Sequence, residues 1–352
     1  MRHLWDLVDL SDEELGRIDV AKLNLDCAQD LPDAGNIDVH RCISRLDYLA
    51  EKAEKFIERR MPQFSRNPSA FNNSESYYRI LCLITFLQRD MGIRYHPAKT
   101  EPSTPLDTAD IFIHGALIGE GGTCGSLPVV HAAIGRRLGY PIKLVETHGE
   151  YGHMFCRWDD PKGERFNIEA AAQGLNTYPD DHYRTGKYQL SRHLEKAGRF
   201  LLSKTPKQEL AAFLGARGHR WWELGVYWRA AQSFAWSFGL DSENKKHWNC
   251  LVSILDQWHE HLEQRTPPGF PPISYVNERR YAKSLPREAV VNIMGLEVTD
   301  LMLNDPEHNR NWWEPMRKGL TPKTIPVRCL ATLRRDGVRL KMNWKRPNTG
   351  PV

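Results

Sequence analysis

The chain has 352 residues, is 41% hydrophobic and 26% charged, and carries a formal net charge of +4. That is too apolar for disorder, and no run approaches the ~18 consecutive apolar residues of a membrane helix. The start, MRHLWDLVDLSDEELG, sets acids where a secretory signal needs an apolar core, so a folded cytoplasmic protein of two or three domains, with no membrane partner, is expected.

Residues 1–40 read as an N-terminal extension. Between Arg41 and Met61, Ile43, Leu46, Ala50, Ala53 and Ile57 recur at helical spacing among Lys and Glu. This predicts an amphipathic helix opening a core domain over 41–200. From Ser74 to Met91 both faces carry bulk: Ile80, Leu83, Ile84 and Leu87 on one, Tyr78, Leu81, Thr85 and Gln88 on the other. A largely buried helix follows, with Cys82 in the core. The polar stretch HPAKTEPSTPLDTAD is a lid or a connector, and the apolar run IFIHGALIG and the cluster GEGG come after it.

Leu127, Val130, Ile134 and Leu138 predict a helix over Ser126–Leu138, stopped by Gly139 and Pro141. Three strand-like pieces follow, PIKLVET, HMFCRW and ERFNIEA, with DDPKG as the turn between the last two. A helix followed by strands joined through turns is an α+β pattern, with the cysteine-bearing helix packed on an antiparallel sheet.

Residues 201–265 change character. Six of the eleven tryptophans fall between Trp221 and Trp258, at helical spacing. The placement of Gly218, Ala230, Phe234, Trp248 and Leu251 resembles a tetratricopeptide repeat, about one and a half copies. Such helices can offer a groove to a protein partner, but tryptophans in this pattern serve more often as core. Residues 266–352 hold a proline-rich linker, a helix from AVVNIMGLEVTDLML and a β-hairpin around Asp336-Gly337. Eleven lysines and arginines stand there, from residue 310 on, against Glu314 and Asp336. A hairpin with a solvated basic face accounts for this charge, and without an RNA-binding signature nucleic acid is not the expected partner.

The chemistry concentrates between Gly121 and Glu169. The seven cysteines (27, 42, 82, 124, 156, 250 and 329) are odd in number and never closer than fifteen positions, which excludes CxxC metal or redox motifs and a paired disulfide framework. Cys124 alone sits in a glycine-rich loop opening a helix, where the helix dipole and free N–H groups favour a thiolate. His153 enters the second strand and Glu169 ends the third. A carboxylate there can accept the Nδ1 proton of His153 and leave the other ring nitrogen to Cys124, the nucleophile, base and orienter of cysteine acyl transfer. Alternation sends Cys156 to the opposite face, as a structural thiol. Gly122 and Thr123, just ahead of the cysteine, and His114 upstream are candidates for the oxyanion and substrate contacts. HExxH, GxSxG, Walker and Rossmann patterns are absent, so no metal and no cofactor is expected.

The run GGTCGSLPVVHAAIGRRLGYPIKLV, followed by GHMFCRW and FNIEA, resembles the transglutaminase-like superfamily. Within it, the likeness is nearest to a bacterial branch in which such a core precedes tetratricopeptide-like helices. The resemblance implies a papain-like fold, an acyl-enzyme formed on Cys124, His153 as base, Glu169 as orienting acid, and a protein or peptide substrate. Glu169 stands where that superfamily more often has Asp, and Gly125-Ser126 follow the cysteine in place of the bulky residue common in crosslinking enzymes. The rival expectation is a retired core that serves as a protein-binding module, with its three side chains out of mutual reach.

Overall fold

The computed structural model describes residues 4–100, 104–148, 152–185 and 188–264. The fold is mixed α+β, mostly helical, with one three-stranded antiparallel sheet among the described residues. In chain order come α1 (Leu4–Val8), α2 (Asp12–Gly16), α3 (Val20–Ala28), α4 (Val39–Arg66), α5 (Glu75–Thr85), α6 (Thr108–Ile111), α7 (Ile113–Ile118) and α8 (Leu127–Arg137). There follow β1 (Ile142–Thr147), β2 (His153–Asp159), β3 (Arg165–Ile168), α9 (Asp180–Arg184), α10 (Arg192–Gly198), α11 (Pro206–Glu223), α12 (Tyr227–Leu240) and α13 (Lys245–Gln264). The proline-rich linker, the following helix, the basic hairpin and Cys329 all lie outside the described residues.

The chain divides into two compact units. Among the described residues, one comprises Ser11–Arg220 with Glu243–Lys246, and the other 4–10, Trp221–Ser242 and 247–264. In the first, the stretch read as an extension belongs to the body from Ser11 onward. Leu15, Leu23, Leu25, Cys27 and Ala28 are buried, α3 packs on α4, α7 and α8, and the Ile113 N–H donates to Asn24 Oδ1 at 3.0 Å.

Helix α4 begins at Asp38, whose carboxylate accepts the Arg41 N–H, and buries Cys42, Leu46, Leu49, Ala50, Ala53 and Ile57. This is the amphipathic face read from the sequence, with Cys42 in place of Ile43. Helix α5 is capped by Ser74, which accepts the Tyr77 N–H, and buries Ile80, Cys82, Leu83 and Ile84. The single helix expected to Met91 instead widens into a π turn over Phe86–Asp90. Thr85 Oγ1 donates back to Leu81 O at 2.7 Å just ahead of it, and such back-bonding bends helices. The apolar run IFIHGALIG folds as the end of α6, which a capping box of Asp107 and Asp110 starts, and as α7.

Pro128 stands in the first turn of α8, where its missing N–H costs nothing, and Gly139 ends the helix at φ +77°. The sheet order is β1-β2-β3, with Leu144 opposite Cys156 and Cys156 opposite Ile168. Helix α8 packs on β1 and β2, and the Cys156 thiol donates to Pro128 O at 2.9 Å. The alternate residues of β2, His153, Phe155 and Arg157, turn to the other face, over an aromatic cluster of Val145, Phe155, Tyr183, Tyr188, Leu190, Phe200 and Leu201. Arg157, 1% exposed, staples that face. It donates to Asn167 Oδ1 (2.7 Å), Leu201 O (2.8 Å) and Asp180 Oδ1 (2.6 Å), which fixes the start of α9.

The second unit carries the tryptophan-rich helices. Trp221 and Trp236 are each 1% exposed, and Ala230, Ala231, Phe234, Phe238, Leu251 and Ile254 are buried with them. The rings of Phe238 and Trp248 lie 5.3 Å apart, and Trp222 Nε1 donates to Gln257 Oε1 at 2.7 Å. Trp221 and Trp236 therefore act as core, and the Trp222 and Trp248 contacts tie α11 and α12 to α13. Among the described residues, no helix is long and apolar enough to cross a membrane.

Candidate active site

The loop ahead of α8 is locked by hydroxyls. Thr123 Oγ1 and Ser126 Oγ both donate to Asp110 O, at 2.9 and 2.8 Å, while the Thr123 N–H donates to Ser126 Oγ at 3.0 Å. On its other side, Gly122 bridges Tyr95 in parallel. The Gly122 N–H donates to Arg94 O (3.1 Å), and Gly122 O accepts the His96 N–H (2.8 Å). A Cβ on Gly122 would stand 2.7 Å from Ser126 Oγ and 2.8 Å from Ala116 Cβ, so only glycine allows this approach. The result is a rigid turn that presents Cys124 half-exposed, one turn before Leu127, while Cys27, Cys42, Cys82 and Cys156 are buried. Burial pushes all four of those thiols up, away from reactivity.

His153 opens β2 and is held on both sides. Its Nε2–H donates to Glu169 Oε2 at 2.5 Å, and Cys124 lies within electrostatic reach of the same ring. Burial alone would lower the affinity of the ring for a proton. The interactions with Cys124 and Glu169 and the carboxylate charge outweigh it and raise His153 from 6.5 to about 9. The imidazolium is thus the favoured form at neutral pH, flanked by a carboxylate and a thiol.

This differs from the nitrogen assignment made from the sequence: Glu169 takes Nε2 rather than Nδ1. The reason is the register. Continued one step past Cys156 and Ile168, it sets Glu169 beside Phe155, two residues along β2 from His153, so the carboxylate meets the ring diagonally.

Glu169 is itself secured. Its backbone pairs with Asn176 in both directions at 2.8 and 3.0 Å, the Ala171 N–H donates to Oε1 at 3.3 Å, and Tyr183 Oη–H donates to Oε2 at 3.4 Å. The loop after it is clamped by Gln88, on the π turn: its amide donates to Ala170 O and Ala172 O at 3.0 Å each and accepts the Gly174 N–H at 2.7 Å. The rings of Tyr188, Tyr183 and Phe155 lie 5.3, 6.4 and 6.4 Å from that of His153. Burial first, and the Glu169 charge second, push both tyrosine phenols upward, so they stay neutral beside the ion pair.

The other candidates fare differently. Gly122 and Thr123 have no N–H to offer a substrate, because both are spent inside the loop. His114 lies buried on α7 with neither ring nitrogen partnered, and its charged neighbours are Asp107 and Asp33. No contact brings it to Cys124. His131, passed over in the sequence as a packing residue of α8, is buried, and burial holds it down at about 4 against the pull of Glu169. Among the described residues no cluster of His, Cys, Asp and Glu could hold a metal ion. A separate cavity of about 360 Å³, lined by residues including Lys143, Asp159 and Arg136, lies at the opposite end of the strands from His153.

No protein-family model, curated protein or solved structure matches the chain.

Proposed function

We propose that the chain is a cysteine enzyme of transglutaminase-like, papain-like type that hydrolyses or transfers the acyl group of an amide or peptide bond. The observation that carries this reading is the His153–Glu169 pair at 2.5 Å, with Cys124 in electrostatic reach of the same ring, whose proton affinity is raised to about 9. In the proposed reactive pair the proton lies on His153 and the electron pair on the Cys124 sulfur. The sulfur attacks the carbonyl carbon, a C–S bond forms, and the carbonyl π pair moves onto oxygen. His153 then gives its proton to the leaving amine as the C–N bond breaks, which leaves a thioester on Cys124. Water or an amine, deprotonated by His153, attacks that thioester, and Cys124 departs with the pair of electrons.

A retired binding module required the three side chains out of mutual reach, and no observation favours it. The buried tryptophans of α11 and α12 give no support to a groove on the tetratricopeptide-like helices. The substrate proposed is therefore a protein or peptide acyl donor at Cys124.

The test is acylation by a small activated ester, p-nitrophenyl acetate. The intact chain is expected to release nitrophenol and to carry an acetyl adduct at Cys124. Cys124→Ala abolishes this, and His153→Ala slows it ~100- to 10,000-fold. Equal rates for the wild type and both variants would refute the reading.

A further inference from the structure

Acyl transfer through Cys124 needs donors for the oxygen that becomes negative, and the structure narrows which groups can serve. Among the described residues the Cys124 N–H has no acceptor, so it is one. The amides around it are committed: Gly122 to Arg94 O, Thr123 to Ser126 Oγ and Gly125 to Thr123 Oγ1 at 3.2 Å. Both donor bonds of the Gln88 amide go to the loop after Glu169. His114 lies among Asp33 and Asp107.

Two tyrosines remain within electrostatic range of Cys124, Tyr95 and Tyr188. Tyr188 packs on the His153 ring, on the side of the base. Tyr95 is bridged to Gly122, two residues ahead of the nucleophile, in the strap that also fixes the Cys124 N–H. Its ring is half-buried, and its hydroxyl makes no hydrogen bond among the described residues.

We propose that the Tyr95 hydroxyl and the Cys124 N–H together form the oxyanion hole, which makes Tyr95 a catalytic residue. This rests on the acyl-transfer reading above. As Cys124 Sγ bonds to the carbonyl carbon, the π pair moves to oxygen, and Tyr95 donates a hydrogen bond to it while keeping its own proton. When the bond to the leaving group breaks, the pair returns and C=O re-forms. Burial, with the charges at Cys124 and Asp110, raises the phenol and so keeps it a donor at neutral pH. A donor held in place before charge develops pays no reorganisation cost, and removing one is typically worth ~100- to 1,000-fold in rate.

The test compares two reactions of the same sulfur in the full chain. Acylation by p-nitrophenyl acetate passes through a tetrahedral oxyanion, whereas alkylation by iodoacetamide does not. Tyr95→Phe keeps the ring and loses only the hydroxyl. It is expected to slow acylation ~100-fold while alkylation of Cys124 stays within about twofold of wild type. Unchanged acylation, or an equal fall in both reactions, would overturn the assignment, the second outcome marking Tyr95 as structural. A wild-type chain alkylated at Cys124 but never acylated would instead sink the acyl-transfer reading, and the oxyanion hole with it.

Discussion

His153 carries the electrostatics of the site, and two opposed effects meet on it. Desolvation disfavours the imidazolium, while a carboxylate at 2.5 Å and the nearby Cys124 favour it. The carboxylate is the larger permanent charge, so Glu169→Gln should lower the proton affinity of the ring. Ring NMR titration should place wild-type His153 near pH 9 and the Glu169→Gln protein about a unit or more lower. An unmoved midpoint would show that Glu169 does not hold the imidazolium. At this scale the sequence was informative about identity but not about orientation. Cys124, His153 and Glu169 were legible because each stands at the boundary of a periodic segment. Which ring nitrogen meets the acid depends on strand register and rotamer, which the pattern of residue types does not encode. Tyr95, Tyr183 and Tyr188 were not legible, since single aromatics in polar stretches carry no periodicity.

The decisive element is the turn from Gly121 to Ser126, where a strap on one side and a helix start on the other fix the cysteine. The glycine cluster is explained by packing: Gly121 has φ +148° with a would-be Cβ 2.8 Å from His96 Cα, and Gly122 abuts Ser126 and Ala116. Gly122→Ala should therefore destabilise the protein by about 1–3 kcal/mol, seen as a lower urea midpoint. A midpoint equal to wild type would mean that the turn is looser than this packing implies. Helices α4, α5 and α8 and the strands β1–β3 were readable from periodicity. The π turn was not, because Thr85 and the Gln88 clamp act through hydrogen bonds that hydrophobic spacing does not report. Helices α6 and α7 were not legible for a similar reason: a polar capping box starts α6, while the apolar run itself is ambiguous.

Over the whole molecule the site couples stability to pH. His153 binds its proton more tightly in the folded chain than the 6.5 of a free imidazole, so its contribution is full below about pH 6.5. It is lost as pH rises through about 9. The stability difference between wild type and His153→Asn should shrink by about 3 kcal/mol across that window in urea titrations. A difference that stays flat, or grows with pH, would contradict the raised affinity. The division of the chain departs from the boundaries read in the sequence, because Ser11–Ala28 supplies buried side chains to the unit that holds the triad. Helices of five and nine residues span too few turns for their periodicity to assign them to a core.

The most direct measurement of the central claim, that Cys124 is the activated thiol, is competitive alkylation with iodoacetamide at neutral pH, each cysteine followed by peptide mass spectrometry. Cys124 is expected to react at least ~100-fold faster than buried Cys27, Cys42, Cys82 and Cys156, and His153→Ala should remove most of that advantage. If Cys124 reacts no faster than those four, and His153→Ala changes nothing, the account is wrong.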